Sequence, residues 1–67
     1  MHPLKKWRTD NDLTLAQAGE LVGTSRQTWF GWETGRRKPS DAFMGKIRAV
    51  TEGKVTANDF YDFAAVA

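Results

Sequence analysis

The sequence predicts an all-α fold in a single small domain. Its 67 residues can form one hydrophobic core and leave little chain for a deep catalytic cleft. Glycine, proline and Asn-Asp turn signals punctuate the chain at intervals that suit short helices. Only a short piece near Val55 could form a strand, because few windows alternate strictly or gather β-branched residues.

Start and stop signals place the first two helices. Helix 1 is expected from about Pro3 to Asp10, since proline suits a first helical turn. Helix 2 is expected to begin after Thr14, which has the spacing of a capping box with Gln17. It should stop at Gly23, because glycine readily adopts the left-handed conformation that ends helices.

Three more helices follow from the same signals. Ser25 is an N-cap candidate for helix 3, which is expected to end at Gly35. Ser40 and Thr56 are the corresponding candidates for helix 4 and for a short last helix. Helical spacing assigns one inward face to each helix. The predicted inward side chains are Leu4, Trp7, Ala18, Leu21, Val22, Trp29, Trp32, Phe43, Ile47, Val50, Phe60 and Phe63.

The residue types that build metal sites, disulfides and catalytic centres are scarce. The chain has no cysteine and one histidine, His2, near a start that we expect to be mobile, so no metal or cofactor is expected. No carboxylate pair, nucleophile–base set or phosphate-binding glycine loop is present, which argues against an enzyme. No stretch has the length of a signal peptide's apolar core or of a membrane span. We therefore expect a soluble, cytoplasmic protein without a membrane partner.

Positive charge is concentrated in the larger part of the chain. Residues 1–48 hold nine lysines and arginines against five acidic residues, whereas residues 49–67 hold one lysine against three acidic residues. A basic body with a mildly acidic tail fits a polyanion-binding face with the tail turned away from it. An ordinary solvated surface would give the same totals, so charge alone does not decide between the two.

Helix 2, a glycine turn and helix 3 have the plan of a helix-turn-helix, whose second helix enters the DNA major groove. Residues 13–40, "LTLAQAGELVGTSRQTWFGWETGRRKPS", resemble the helix-turn-helix domain of phage repressors and Cro proteins, the Xre-like family. The matching residues, in register without a gap, are Thr14, Gly23, Ser25, Trp32, Glu33, Gly35, Arg36, Arg37, Lys38, Pro39 and Ser40. With helices 1 and 4, the resemblance covers about residues 3–52.

The resemblance implies how the domain is organised. Residues 1–67 would form one DNA-binding domain, a compact five-helix bundle of the lambda-repressor type. The helix-turn-helix would occupy about residues 15–34, and a C-terminal segment at about residues 53–67 would support dimerisation. Family members often pair the glutamate that Glu33 matches with an arginine of helix 1, so Arg8 and Glu33 are expected to form a structural, partly buried ion pair.

Three positions depart from the family pattern. Leu15 stands where a glutamine often touches phosphate and braces the recognition helix, so only its backbone N–H can serve a phosphate. Gly19 stands where alanine is usual, which keeps or tightens the helix contact at a cost of about 1 kcal/mol in helix propensity. Thr24 replaces the usual valine or isoleucine of the turn.

The predicted recognition helix has two faces. Trp29 and Trp32 are expected to pack in the core, while Arg26 and Gln27 lie in the first turn, which meets base edges in such helices. Arginine can pair with guanine and glutamine with adenine, each through two hydrogen bonds. A solvated helix start is the alternative for both residues.

Phe30 and Gly31 complete the predicted base-reading set. An exposed phenylalanine is costly unless it is covered, and contact with a thymine methyl group would cover it. The alternative is that Phe30 folds along the helix edge as a rim residue of the core. Gly31 is expected to let the backbone or Phe30 approach DNA closely.

Phosphate contacts are expected around the recognition helix, from its flanking turns and from the basic loop that follows it. Such contacts supply affinity and salt dependence and carry no sequence information. The predicted phosphate-binding residues are Thr14, Leu15, Ser25, Thr28, Arg36, Arg37, Lys38 and Ser40.

These features favour a sequence-specific transcriptional regulator of phage or prophage type, close to Cro or a repressor. It would bind a palindromic operator in double-stranded DNA as a homodimer, without a small-molecule ligand. Phe60, Tyr61 and Phe63 are the candidate dimer contacts, with core or C-terminal cover as their alternative. An antitoxin that binds DNA and a toxin protein is the second hypothesis. A protein-interaction module without DNA binding is the third.

Overall fold

The computed structural model describes residues 2–60, all of whose regular structure is helical. The helices are α1 (Pro3–Asp10), α2 (Leu15–Val22), α3 (Arg26–Glu33) and α4 (Asp41–Val50). A fifth helix, α5, begins at residue 57 and is described to residue 60. The expected all-α architecture of five helices is therefore confirmed. Within this described part no helix is long and apolar enough to cross a membrane.

The helix starts follow the local hydrogen-bonding signals in the sequence. The Thr14 hydroxyl accepts a hydrogen bond from the Gln17 N–H at 3.1 Å, and the Gln17 side chain accepts one from the Thr14 N–H at 2.9 Å. The hydroxyls of Ser25 and Ser40 cap α3 and α4 in the same way. These bonds satisfy backbone donors that a helix cannot pair internally, so each start is fixed by a few neighbouring residues.

The core lies where α2, α3 and α4 meet α1 and the start of α5. Its buried hydrophobic side chains are Leu4, Ala18, Val22, Trp29, Trp32, Ile47, Val55 and Phe60. No strand forms near Val55, where the sequence allowed one. Instead Val55 is buried in a turn, and its N–H donates to the Thr51 hydroxyl at 3.3 Å.

Leu21 was expected to face inward and does not, since its side chain is 52% exposed. The stripe of α2 that packs inward consists of Leu15, Ala18, Gly19 and Val22, which is the i, i+3, i+4, i+7 pattern. At about 100° per residue, Leu21 lies beside that stripe. The prediction failed because Leu21 lies about 110° around the helix from the centre of that stripe.

At Gly19 the α2 helix lies very close to the turn before α3. A Cβ atom at this position would lie 2.7 Å from the Thr24 carbonyl oxygen and 3.2 Å from the Ser25 carbonyl carbon. Both are backbone atoms, so a methyl group could be accommodated only by moving the turn. Glycine therefore sets how closely the two helices of the motif pack.

Glu33 is a buried carboxylate at the end of α3 that has three donors. Arg8 of α1 donates from Nε to Oε2 at 2.6 Å and from Nη2 to Oε1 at 3.2 Å. The Trp29 indole N–H donates to Oε2 at 2.6 Å. Arg8 also donates to the Leu13 carbonyl oxygen at 2.9 Å. One cluster therefore ties α3 to α1 and to the turn that follows α1.

His2 was expected to be mobile and is instead 2% exposed. Its Nδ1 accepts the Leu4 N–H at 3.0 Å, which caps α1, and its ring lies 4.8 Å from the Phe60 ring. Burial lowers the pKa of His2 below its ordinary 6.5, and the nearby charges of Asp59 and Glu33 oppose that shift. The start of α1 and the start of α5 therefore pack on each other through this ring.

Replacing Gly19 by alanine should destabilise the domain, although alanine is the better helix former. The methyl group would meet the Thr24 carbonyl at 2.7 Å, and such overpacking costs about 1–3 kcal/mol. Gly45 of α4 is the matched control, because a Cβ there meets nothing within 4 Å. Gly45→Ala should stabilise by about 0.5–1 kcal/mol. Thermal melts of both variants measure the change in stability. Equal stabilisation by the two substitutions would refute the prediction.

Removing the Glu33 carboxylate should cost about 3 kcal/mol in unfolding free energy, because Arg8 and the Trp29 N–H would lose a buried partner. Urea unfolding of Glu33→Ala measures the loss. Asp10→Ala is the control, since it breaks the exposed Lys6–Asp10 pair, with N···O 2.8 Å, and should leave the transition almost unchanged. Similar transitions for the two variants would contradict the structural role of Glu33.

Stability should fall as the pH drops below 6.5, because the lowered pKa of His2 means that the unfolded chain binds its proton first. The contribution is fully present above pH 6.5 and is lost as the pH falls through the lower folded-state pKa. Melting temperatures at pH 7.5 and about 5.5 measure the effect. His2→Asn keeps a capping acceptor without titrating, so it should show a smaller drop. An equal drop in both proteins would rule His2 out as the source.

Candidate nucleic-acid interface

The turn between α2 and α3 leaves the first turn of α3 on the surface. Gly23 has φ 78°, a left-handed conformation that favours glycine. The N–H groups of Gly23 and Thr24 donate back to α2, to the carbonyls of Glu20 at 3.2 Å and Gly19 at 2.9 Å. Ser25 then caps α3, so only three residues separate the two helices. This is the compact geometry of a helix-turn-helix.

Aromatic packing holds one side of α3 against the rest of the domain. The Trp29 and Trp32 rings are buried, with their centroids 5.7 Å apart. Trp29 also faces Trp7 of α1 at 6.3 Å, and Trp32 faces Phe43 of α4 at 5.3 Å. The opposite side of α3 is thereby presented to solvent in a fixed orientation.

Arg26, Gln27 and Phe30 lie on that outward side, and all three are exposed. The Phe30 side chain is 48% exposed, whereas the neighbouring Trp29 is fully buried. The outward side of α3 therefore combines a cation, an amide and an aromatic ring.

Phe30 also lines a shallow depression with Leu15, Arg26 and Gln27, with a volume of about 250 Å³. The surface of this depression is almost entirely apolar. Leu15 is half-buried, so part of its side chain remains available at the surface. The sequence assigned Leu15 only a backbone role, and its side chain was missed because its neighbour Phe30 is fifteen residues away in the chain.

Gly31 is buried, because the side chain of Arg37 covers it. A Cβ atom at Gly31 would lie 3.3 Å from both Cγ and Cδ of Arg37. The N–H groups of Arg36 and Arg37 donate to the Gly31 carbonyl at 3.0 and 3.2 Å. The room that glycine provides is thus used by Arg37, whereas the sequence had suggested that Gly31 lets the backbone or Phe30 approach DNA closely. The contact fixes the start of the basic loop against α3.

Phe30 also lines a second depression, of about 310 Å³. Its lining residues are Gln27, Thr28, Phe30, Gly31, Arg36 and Arg37. None of the described residues that line either depression is acidic. Phe30 and Gln27 line both depressions, and each depression also has arginine in its lining. This positive charge is what a protein needs to bind a phosphate backbone.

The remaining predicted phosphate-binding residues surround this face or flank it. Thr14, Ser25 and Ser40 are exposed, and their hydroxyls already accept N-cap hydrogen bonds. Ser40 is followed by Asp41, an exposed acid in the first turn of α4 that disfavours a phosphate there. Lys38 continues the exposed basic loop.

The described residues include only one of the three predicted dimer contacts. Phe60 is 4% exposed and lies in the hydrophobic core, so its ring packs within its own protomer. Tyr61 and Phe63, the other candidate dimer contacts, lie outside the described residues. In the range 2–60, no three His, Cys, Asp or Glu side chains are grouped in a way that could hold a metal ion.

Comparison with known families agrees with this geometry. A family model described as "Helix-turn-helix domain" matches residues 2–51, which include α1 to α4 and most of the chain. No curated protein and no solved structure shows significant similarity to the sequence. The match and the α2–turn–α3 geometry together show that the chain belongs to the helix-turn-helix family of DNA-binding domains.

Proposed function

We propose that the protein is a sequence-specific transcriptional regulator that binds double-stranded DNA and reads the major groove with α3. The observation that carries the proposal is the division of α3 into two sides. One side is held against the domain by Trp29, Trp32 and Glu33. On the other side, Arg26 and Gln27 are exposed in the first turn of the helix. A recognition helix needs both a rigid base and free polar groups near its start.

Arg26 and Gln27 are the proposed base-reading residues. A guanidinium can donate two hydrogen bonds to O6 and N7 of guanine, and a glutamine amide can pair with N6 and N7 of adenine. Each such contact discriminates against a wrong base by about 1–3 kcal/mol. The half-site is therefore expected to depend most strongly on the base pairs that face these two side chains.

Arg36, Arg37 and Lys38 are the proposed phosphate-binding residues of the loop after α3. The backbone bonds from Arg36 and Arg37 to Gly31 hold this loop beside the outward side of α3. Contacts to phosphate would position α3 in the groove and make binding depend on salt. The exposed N-termini of α2 and α3, at Thr14 and Ser25, would add backbone donors for phosphate.

We further propose a Cro-like or repressor-like role in a phage or prophage, with a homodimer on an approximately palindromic operator. One module of this size buries a limited area on DNA, so two half-sites are needed for tight binding. Because Phe60 is buried within the protomer, Tyr61 and Phe63 are the proposed dimer contacts. Selection from a random duplex pool should recover an inverted repeat with half-sites about 10 base pairs apart.

Arg26→Ala should weaken binding to the selected duplex by about 5- to 150-fold per half-site, the factor that corresponds to 1–3 kcal/mol. It should also relax the preference at one base pair of each half-site. Arg36→Ala should weaken binding to all duplexes alike and reduce the salt slope by about one unit per protomer. Fluorescence anisotropy over a range of salt concentrations measures both effects.

Arg48→Ala is the charge-matched control for these variants. Arg48 is an exposed residue of α4 beside Thr56 and Ala57, and it lines neither depression on α3. Its removal changes the net charge by the same unit and should leave the base preference unchanged. If the wild-type protein binds no duplex in dilute salt, the proposed function is wrong. If Arg26→Ala behaves like Arg48→Ala, the base-reading role of Arg26 is wrong.

A further inference from the structure

Leu15 and Phe30 form an apolar surface on the side of the domain that carries its base-reading candidates. They come from different helices, Leu15 from the first position of α2 and Phe30 from the middle of α3. Both line the depression whose other walls are Arg26 and Gln27. Hydrogen bonding to bases or phosphates does not account for an apolar surface between two polar side chains.

The charge around this surface identifies the class of its partner. Arg26 borders it directly, and Arg36 and Arg37 line the second depression, which Phe30 also lines. An apolar protein segment placed here would have to cover these arginines without supplying a counter-charge, which is costly. A nucleic acid supplies the negative charge in its backbone and can also offer an apolar group from a base.

One base presents a methyl group in the major groove. The C5-methyl of thymine projects there beside the O4 acceptor, and cytosine lacks the methyl group. Apolar side chains of recognition elements can contact this methyl directly. A depression with leucine and phenylalanine walls, next to residues that hydrogen-bond to base edges, matches that combination of groups.

We propose that Leu15 and Phe30 together bind the C5-methyl group of a thymine in each operator half-site. The inference rests on the proposed function and adds to it. The α2 helix would take part in base reading through a side chain, in addition to any phosphate contact by its backbone. Leu15 would contribute one wall and Phe30 the other, while Arg26 and Gln27 bond to the neighbouring base edges.

Replacement of thymine by deoxyuridine tests the inference, because it removes the methyl group and keeps base pairing and the O4 acceptor. Each thymine of the selected operator is replaced in turn in both half-sites, and the dissociation constant is measured by fluorescence anisotropy. At one position the wild-type affinity should fall about fourfold per half-site, the factor expected for one buried methyl group. Deoxyuridine at the other positions should have a smaller effect.

Protein variants then locate the contact. Leu15→Ala and Phe30→Ala should each bring the thymine-to-deoxyuridine affinity ratio at that position toward one. Leu21→Ala is the matched control, because Leu21 is an exposed leucine of the same helix that does not line the depression; it should keep the full ratio. Leu15 also packs against the core, so melting curves accompany the measurement. If Leu15→Ala does not fold, the affinity ratio of Phe30→Ala decides the result, because Phe30 is exposed.

The outcomes separate this inference from the proposed function. If the protein selects an operator but every deoxyuridine substitution is neutral, or the operator contains no thymine, the methyl contact is refuted and the regulator remains. An undiminished ratio in Phe30→Ala and in any folded Leu15→Ala would place the methyl contact elsewhere and also refute the inference. If no duplex is bound at all, the proposed function fails and the inference fails with it.

Discussion

The buried carboxylate of Glu33 determines how the rest of this domain can be arranged. A charge removed from water is tolerated only when hydrogen-bond donors surround it. Here Arg8 supplies two and the Trp29 indole a third, and those donors come from α1 and from α3 itself. The orientation of α3 is therefore fixed by directional bonds as well as by packing. The same pairing neutralises a negative charge beneath the surface that we propose to face DNA.

The outward side of α3 is available because the inward side is so strongly anchored. An eight-residue helix is marginal in water, and its stability has to come from packing. Trp29 and Trp32 provide that packing against α1 and α4, and Gly19 permits close contact with α2. The core consequently does not depend on the exposed side chains of Arg26, Gln27 and Phe30. Substitutions of these exposed residues should therefore have little effect on the folding of this domain.

The sequence predicts features that depend on neighbouring residues better than features that depend on distant ones. The caps at Thr14 and Ser25 were predictable, because each hydroxyl bonds to an N–H only three residues away. The exposure of Leu21 and the burial of His2 depend on where other helices pack, which periodicity alone does not specify. Likewise, Gly31 is covered by the Arg37 side chain, a tertiary contact that no local pattern indicates.

The contrast between Leu21 and Phe30 shows how such tertiary information bears on function. Both are large apolar side chains that are about half exposed, and a single exposed hydrophobic residue needs no explanation. Phe30 differs in its surroundings, since it shares one depression with Leu15 and Arg26 and another with Arg37. An apolar group set among cations suits a partner that is itself both charged and apolar. Leu21 lines neither depression. A thymine in the major groove, with its methyl group and the phosphates beside it, is both apolar and charged in this way.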